Sequence, residues 1–137
     1  MIAGAVADTS VAIALTLGDH VNHRAAVRAR RDHQPALAGH ARFESYSVLT
    51  RLPDAQRLSP TEAGTALHRN FPETAWLSAR QMHALTGHLI ELGITGGAVY
   101  DALVADAANA ASLPLLTADH RAIPTYERLG VTLILIA

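Results

Sequence analysis

Met1-Ile-Ala-Gly-Ala-Val-Ala7, followed by Asp8-Thr9-Ser10, is the stretch on which the fold turns. Apolar and small residues running into an acid describe a short buried strand, Ile2–Ala7, with a carboxylate just past its carboxyl end. A helix follows over Ser10–Leu17 and closes at Gly18. The arrangement recurs near the other end of the chain, where strand Leu113–Thr117 is followed by Asp119. Between them, Asp19 is expected to cap a helix over His20–Asp32, with Val21, Ala25, Ala26 and Ala29 on its apolar face. Pro35–Gly39 reads as a strand, and a helix from about Ala41 to Leu52 stops at Pro53.

Ser59-Pro60-Thr61-Glu62 is a capping box with proline at the first helical position, opening a helix that ends before Pro72. Ala75–Leu77 is a candidate strand, and Ser78-Ala-Arg-Gln81 repeats the capping logic for a helix to Gly93. After the loop Thr95-Gly96-Gly97 come a helix over Ala98–Ala111, a short helix over Ile123–Leu129 and a last strand, Val131–Ile136. Strands alternating with helices over 137 residues predict one domain, residues 1–137, of α/β class wound around a mostly parallel sheet.

Composition narrows the chemistry. Half the residues are apolar and 17% are charged, as in a folded globular protein. Net charge is −1, so no global positive field advertises nucleic acid, although a local patch would suffice. Absence of cysteine removes thiol catalysis and Cys-type zinc sites. All eleven basic residues are arginine, and absence of lysine excludes a P-loop or a Schiff-base enzyme. No targeting signal is read, and Ala98–Leu116 is broken by Asp101, Asp106 and Pro114, so no membrane span and a cytoplasmic protein are expected.

Four acids stand beside segments that should be buried: Asp8, Glu44, Asp101 and Asp119. Isolated carboxylates there would have to shift pKa and neutralise, whereas hard Mg²⁺ or Mn²⁺ takes oxygen ligands from several of them. Asp8 and Asp119, 111 positions apart, both follow strands, and ligands of open α/β sheets bind beyond strand carboxyl ends. Glu44 and Asp101 are expected near helix starts facing the same crevice. The set points to a metal-dependent phosphodiesterase, in which carboxylate-held cations activate water without a side-chain nucleophile. Thr9, Ser10 and Thr117 offer hydroxyls for metal-ligand support or phosphate contacts, and Arg121 a phosphate contact.

At these residues the chain resembles the PIN-domain ribonucleases, and within them the VapC-type toxins of toxin–antitoxin pairs. The resemblance rests on Ala7-Asp8-Thr9-Ser10, on Phe43-Glu44-Ser45-Tyr46-Ser47, on Gly97-Ala-Val-Tyr-Asp101-Ala-Leu-Val-Ala, on Leu115-Leu-Thr-Ala-Asp119-His-Arg-Ala and on the Tyr126…Leu129-Gly-Val tail. It implies a PIN-like (Rossmann-like) three-layer fold, with a mostly parallel sheet of about five strands flanked by helices. It further implies Mg²⁺ or Mn²⁺ held by Asp8, Glu44, Asp101 and Asp119, a growth-arresting endoribonuclease acting on RNA, a homodimer, and inhibition by a cognate antitoxin. Asp106 departs from the pattern; five residues past Asp101, it should lie roughly 140° round the helix, away from the metal.

Plainer roles compete with these. Asp8 and Asp101 can cap helices, Glu44 can pair with Arg42 or Arg51, and Asp119-His120-Arg121 can be a simple turn. His20 and His23 share a helix face without a third ligand at zinc spacing, while His120 could approach a scissile phosphate. Arg24, Arg28 and Arg31, with Arg30 beside them, form either an RNA-phosphate stripe or a solvated face. Trp76 and Phe71 are expected in core or dimer contacts, and with 4% aromatics no base-stacking platform is read. A non-catalytic scaffold binding RNA or protein is the alternative function. A haloacid-dehalogenase-like phosphatase is set aside, since position 10 is Ser10 and the later lysine is missing.

Overall fold

Ser59 and Ser78 each begin a helix by exchanging hydrogen bonds with the residue three positions on. The Ser59 hydroxyl accepts from the Glu62 amide (3.1 Å) and Glu62 accepts from the Ser59 amide (2.8 Å); Ser78 and Gln81 repeat both distances. These boxes set two of seven helices in the computed structural model, which describes residues 3–137. The helices are α1 (Thr9–Thr16), α2 (His23–His33), α3 (Gly39–Thr50), α4 (Pro60–Asn70), α5 (Ala79–Leu92), α6 (Ala98–Ala111) and α7 (Ile123–Arg128), the last following a 3₁₀ turn, His120–Ala122. The strands are β1 (Val6–Ala7), β2 (Ala36–Ala38), β3 (Thr74–Ala75), β4 (Leu115–Thr117) and β5 (Leu133–Leu135).

The strands form one sheet in the order β3-β2-β1-β4-β5, and every pairing is parallel. The chain winds from β1 outward to β2 and β3, then crosses back to lay β4 on the other side of β1. The direction of winding therefore reverses between β1 and β4, and the crevice beyond their carboxyl ends is the expected place for a ligand. The helices flank the sheet, and the core is dense in alanine: Ala5, Ala7, Ala12, Ala38, Ala41, Ala102 and Ala105 are fully buried around Leu37, Leu115, Leu116 and Phe71. Small side chains let helices approach the sheet closely, so few large residues suffice to fill the space between layers. Among the described residues, no helix is long and apolar enough to cross a membrane.

Several boundaries differ from expectation for local reasons. Ile2, the predicted first residue of β1, lies outside the described residues. Asp19 does not cap α2: the His20 imidazole takes the Asn22 amide (3.0 Å), the chain turns there, and α2 starts at His23 with Val21 exposed to solvent. β2 stops at Ala38 and α3 starts at once on Gly39, where a Cβ would sit 2.5 Å from the Trp76 ring. β3 pairs one residue earlier than read, with Arg42 anchoring the Thr74 hydroxyl (2.7 Å) and Trp76 left outside the strand. β4 starts after Pro114, which has no amide to donate but whose carbonyl accepts from Val6 (2.9 Å).

Candidate active site

Asp8 follows the last residue of β1, where the backbone leaves the sheet to begin α1. It serves as that helix's N-cap, accepting from the Val11 amide (3.2 Å), so the plain structural role is real. Three hydroxyls also reach it. Ser10 donates to Oδ1 (2.5 Å), while Thr117 (2.6 Å) and Tyr126 (2.8 Å) donate to Oδ2. Burial pushes the Asp8 carboxyl above its ordinary range, outweighing the four hydrogen bonds that favour the charged form.

The same hydroxyls tie β1 to the loop after β4. Ser10 Oγ accepts from the Ala118 amide (2.8 Å), and Thr117 Oγ1 accepts from the Asp119 amide (3.0 Å). Asp119 is thereby fixed above Asp8, where it also caps the 3₁₀ turn through the Arg121 amide (3.0 Å). Thr9 differs from its neighbours, because its buried Oγ1 has no protein partner.

Asp101 lies in the first turn of α6, and burial raises its carboxyl too, with Asp119 and Glu44 adding repulsion and Arg121 opposing it. Glu44 sits in the second turn of α3 rather than at the helix start, because α3 begins at Gly39. It pairs with neither Arg42 nor Arg51; its carboxylate is 3.8 Å from His40 Nε2, one turn back. Arg121 bridges Asp119 (3.0 Å) and Asp101 (3.4 Å), and their negative charge raises its pKa.

All four predicted acids line one cleft of about 220 Å³, with Thr9, Ser10 and Arg121. Side-chain exposure rises from Asp101 (16%) through Asp119 (30%) to Glu44 (46%), and Asp8 forms the buried floor. The donor set is all oxygen, which suits a hard divalent cation. Among the described residues, no three acidic or imidazole groups are clustered tightly enough to hold an ion as they stand. Arg121 lies between Asp101 and Asp119, and both Asp8 oxygens accept from protein donors.

Other expectations resolve differently. His120 turns away from the cleft, its Nε2 lying 2.9 Å from the Ala137 carbonyl. Arg24, Arg28 and Arg31 are solvent-exposed on α2, whose last residue, His33, accepts from Gly4 at the amino end of the sheet. That stripe ends opposite the acids. A larger cleft of about 430 Å³ opens there beside Arg30, whose guanidinium is engaged with the Asn70 and Arg69 carbonyls that end α4. It holds none of the four acids. Asp106 faces α5, where burial raises its carboxyl and His88 is the charge that opposes the rise. Phe71 is core, as read, but Trp76 is exposed.

Three ring-bearing residues that line the cleft, His40, Tyr100 and Tyr126, were given no role in the site from the sequence. Two carried a usable signal, since His40 is one helical turn from Glu44 and Tyr100 adjoins Asp101. Tyr126 entered only as part of the tail motif, because a tyrosine on a short helix usually reads as packing.

A PIN-domain family model matches residues 5–128, which include every part of this cleft. The chain is 47% identical over 130 residues to Ribonuclease VapC27 of Mycobacterium tuberculosis, covering 95% of both chains. It is also 47% identical over 131 residues to Ribonuclease VapC40 of the same species, covering 90% of this chain and 92% of the relative. With the parallel five-stranded sheet and the acids gathered at its winding reversal, the chain belongs to the PIN-domain family, on its VapC-type branch.

Proposed function

We propose that the chain is an RNA-cleaving hydrolase whose active site is the cleft of Asp8, Glu44, Asp101 and Asp119. The observation that carries this reading is the convergence of four carboxylates from four separate segments on a single crevice. The names of the two ribonuclease relatives support the choice of RNA as substrate.

Mg²⁺ or Mn²⁺ is the cofactor, held by these acids, and when bound it supplies charge neutralisation and an activated water. The chain's own residues make the site ready. Ser10, Thr117 and Tyr126 fix the rotamer of Asp8 and offset part of the cost of burying its charge. Arg121 is 70% exposed on a flexible stem, so it can leave Asp101 and Asp119 to a cation and turn its guanidinium to the substrate phosphate. Thr9 lines the cleft as well, its buried hydroxyl without a protein partner.

As a VapC-type chain it acts as a growth-arresting toxin, is held in check by a small cognate antitoxin and assembles as a homodimer. Light scattering at micromolar concentration checks the last point, and a monomer there refutes it. The enzymatic reading is tested by incubating purified chain with transfer and ribosomal RNA in Mg²⁺, Mn²⁺ or EDTA, beside Asp8→Asn. Metal-dependent fragments that vanish in the variant are expected.

A non-catalytic RNA- or protein-binding scaffold is the second reading. One observation favours it: the acids are already occupied by protein donors, Arg121 on Asp101 and Asp119, and hydroxyls on both oxygens of Asp8. Intact RNA after incubation with antitoxin-free wild type in Mn²⁺ would favour it over the first.

A further inference from the structure

The chain has six Phe, Tyr and Trp residues, and only Phe71 and Tyr126 are buried. Phe43, Tyr46, Trp76 and Tyr100 are exposed, although large rings are the side chains that gain most from burial. Three of them gather with His40 at the acid cleft or beside it. His40 and Tyr100 line the cleft itself, and their rings are stacked, with centroids 4.9 Å apart and planes 14° from parallel. Phe43, one turn along α3, meets Trp76 at 6.0 Å, and Trp76 lies against Gly39, the residue before His40. The acids and the rings are interleaved in sequence. Tyr100 precedes Asp101, and His40 stands one turn before Glu44.

Charge says what such a rim is for. A bound cation and Arg121 meet the phosphate over the four carboxylates but leave little positive charge for the flanking nucleotides: among the described residues Arg121 is the only arginine lining the cleft, and the arginine stripe of α2 ends at the far end of the sheet. Affinity for nucleic acid at this rim therefore has to come largely from uncharged contacts, and stacking on aromatic faces is the strongest of these. The Tyr100 ring is about half open, and His40 is already stacked on it before any ligand arrives. Ordering that ring costs little on binding.

Resting on the reading of the cleft as an RNA-cleaving site, we propose that the His40–Tyr100 pair seats an unpaired nucleobase next to the phosphate held over the acids. A base inside a duplex has both faces covered by its neighbours, so the seat selects single-stranded RNA. It reads the flatness of the base rather than its edge, and so tolerates different bases.

The test uses a short single-stranded RNA carrying a fluorescent adenine analogue, and its duplex, titrated in Mg²⁺ against chains whose cutting is stopped by Asp119→Asn. In that background Tyr100→Ala should weaken single-strand binding by about tenfold or more and abolish quenching of the analogue. Tyr100→Phe should keep both, and the duplex should bind alike with and without the ring. Equal single-strand affinity with and without the Tyr100 ring, or a preference for duplex in the parent chain, would overturn the proposal and leave the rings to a protein partner. With Asp119 restored, cutting that is indifferent to Tyr100→Ala sinks the base seat and spares the nuclease. Ring-dependent quenching with no cutting by any chain does the reverse.

Discussion

Tyr126 and Asp8 are 118 residues apart in sequence, and a buried hydrogen bond of 2.8 Å joins them. It clamps α7 to the end of β1 and gives the carboxylate on the cleft floor one of its four donors. Burial pushes the phenol's pKa far up, so the hydroxyl keeps its proton at any pH the protein meets. Tyr126→Phe leaves the ring in place and removes only that donor. The expected cost is about 1–3 kcal/mol of stability, read by urea denaturation, together with a further rise in the Asp8 pKa. Unchanged stability would mean that the bond contributes nothing net.

Asp8→Asn and Asp101→Asn separate chemistry from folding. Each should lower RNA cleavage by at least about a hundredfold, since even residues that only orient a metal ligand cost up to that much. Circular dichroism should show the parent fold in both. Normal cleavage by either variant would falsify the assignment of that carboxylate.

Metal should stabilise the chain by binding the folded form alone. At a hundred times the dissociation constant, about 2.7 kcal/mol is expected. For a domain of this size that is a rise of roughly 8 °C in melting temperature between EDTA and Mn²⁺. Arg121→Gln removes the guanidinium that competes for Asp101 and Asp119. Its melting temperature in EDTA should fall slightly and its Mn²⁺ shift should grow, because the ion no longer has to displace a bound charge. A smaller shift in this variant would show that Arg121 assists the ion instead.

The raised Asp8 carboxyl makes a signed prediction about pH. Folded Asp8 holds its proton to higher pH than the unfolded chain, whose value is near 3.8. Between the two, the native state binds more protons, so stability falls as pH rises through that window. Above it, the ionised carboxylate is a standing cost that Asn does not carry. An asparagine can accept from Ser10 and Val11 and donate to the Thr117 and Tyr126 oxygens, which can rotate to receive it. Metal-free Asp8→Asn should therefore melt higher than wild type at neutral pH, and the gap should close towards acid pH. A gap that widens on acidification would reverse the sign of the assigned shift.

The acids were legible because their pattern is local: an apolar strand ending at Asp8, another before Asp119, and an acid on the apolar stripe of α6. The sheet followed from the same alternation, and the capping boxes at Ser59 and Ser78 located two helices from four residues each. What escaped depended on partners distant in sequence. Nothing near Asp19 says that the His20 ring will take the Asn22 amide and delay α2. Nothing in Ala75-Trp76-Leu77 says that Arg42, from another helix, will draw the pairing back to Thr74. Glu44 lines the same cleft as the other acids but lies deeper in its helix than read, because α3 begins at Gly39 and not near Ala41.

The bonds from Ser10 to Ala118 and from Thr117 to Asp8 have a temporal side. They cannot form until β4 has been synthesised and has slid in beside β1, more than a hundred residues after Asp8. Before that, Asp8 and Glu44 have neither Asp101 nor Asp119 fixed above them, and the cleft has no second wall. The cleft is therefore assembled only after the segment carrying β4 and Asp119 has been made, and any RNA-cutting power waits on that contact between distant parts of the chain.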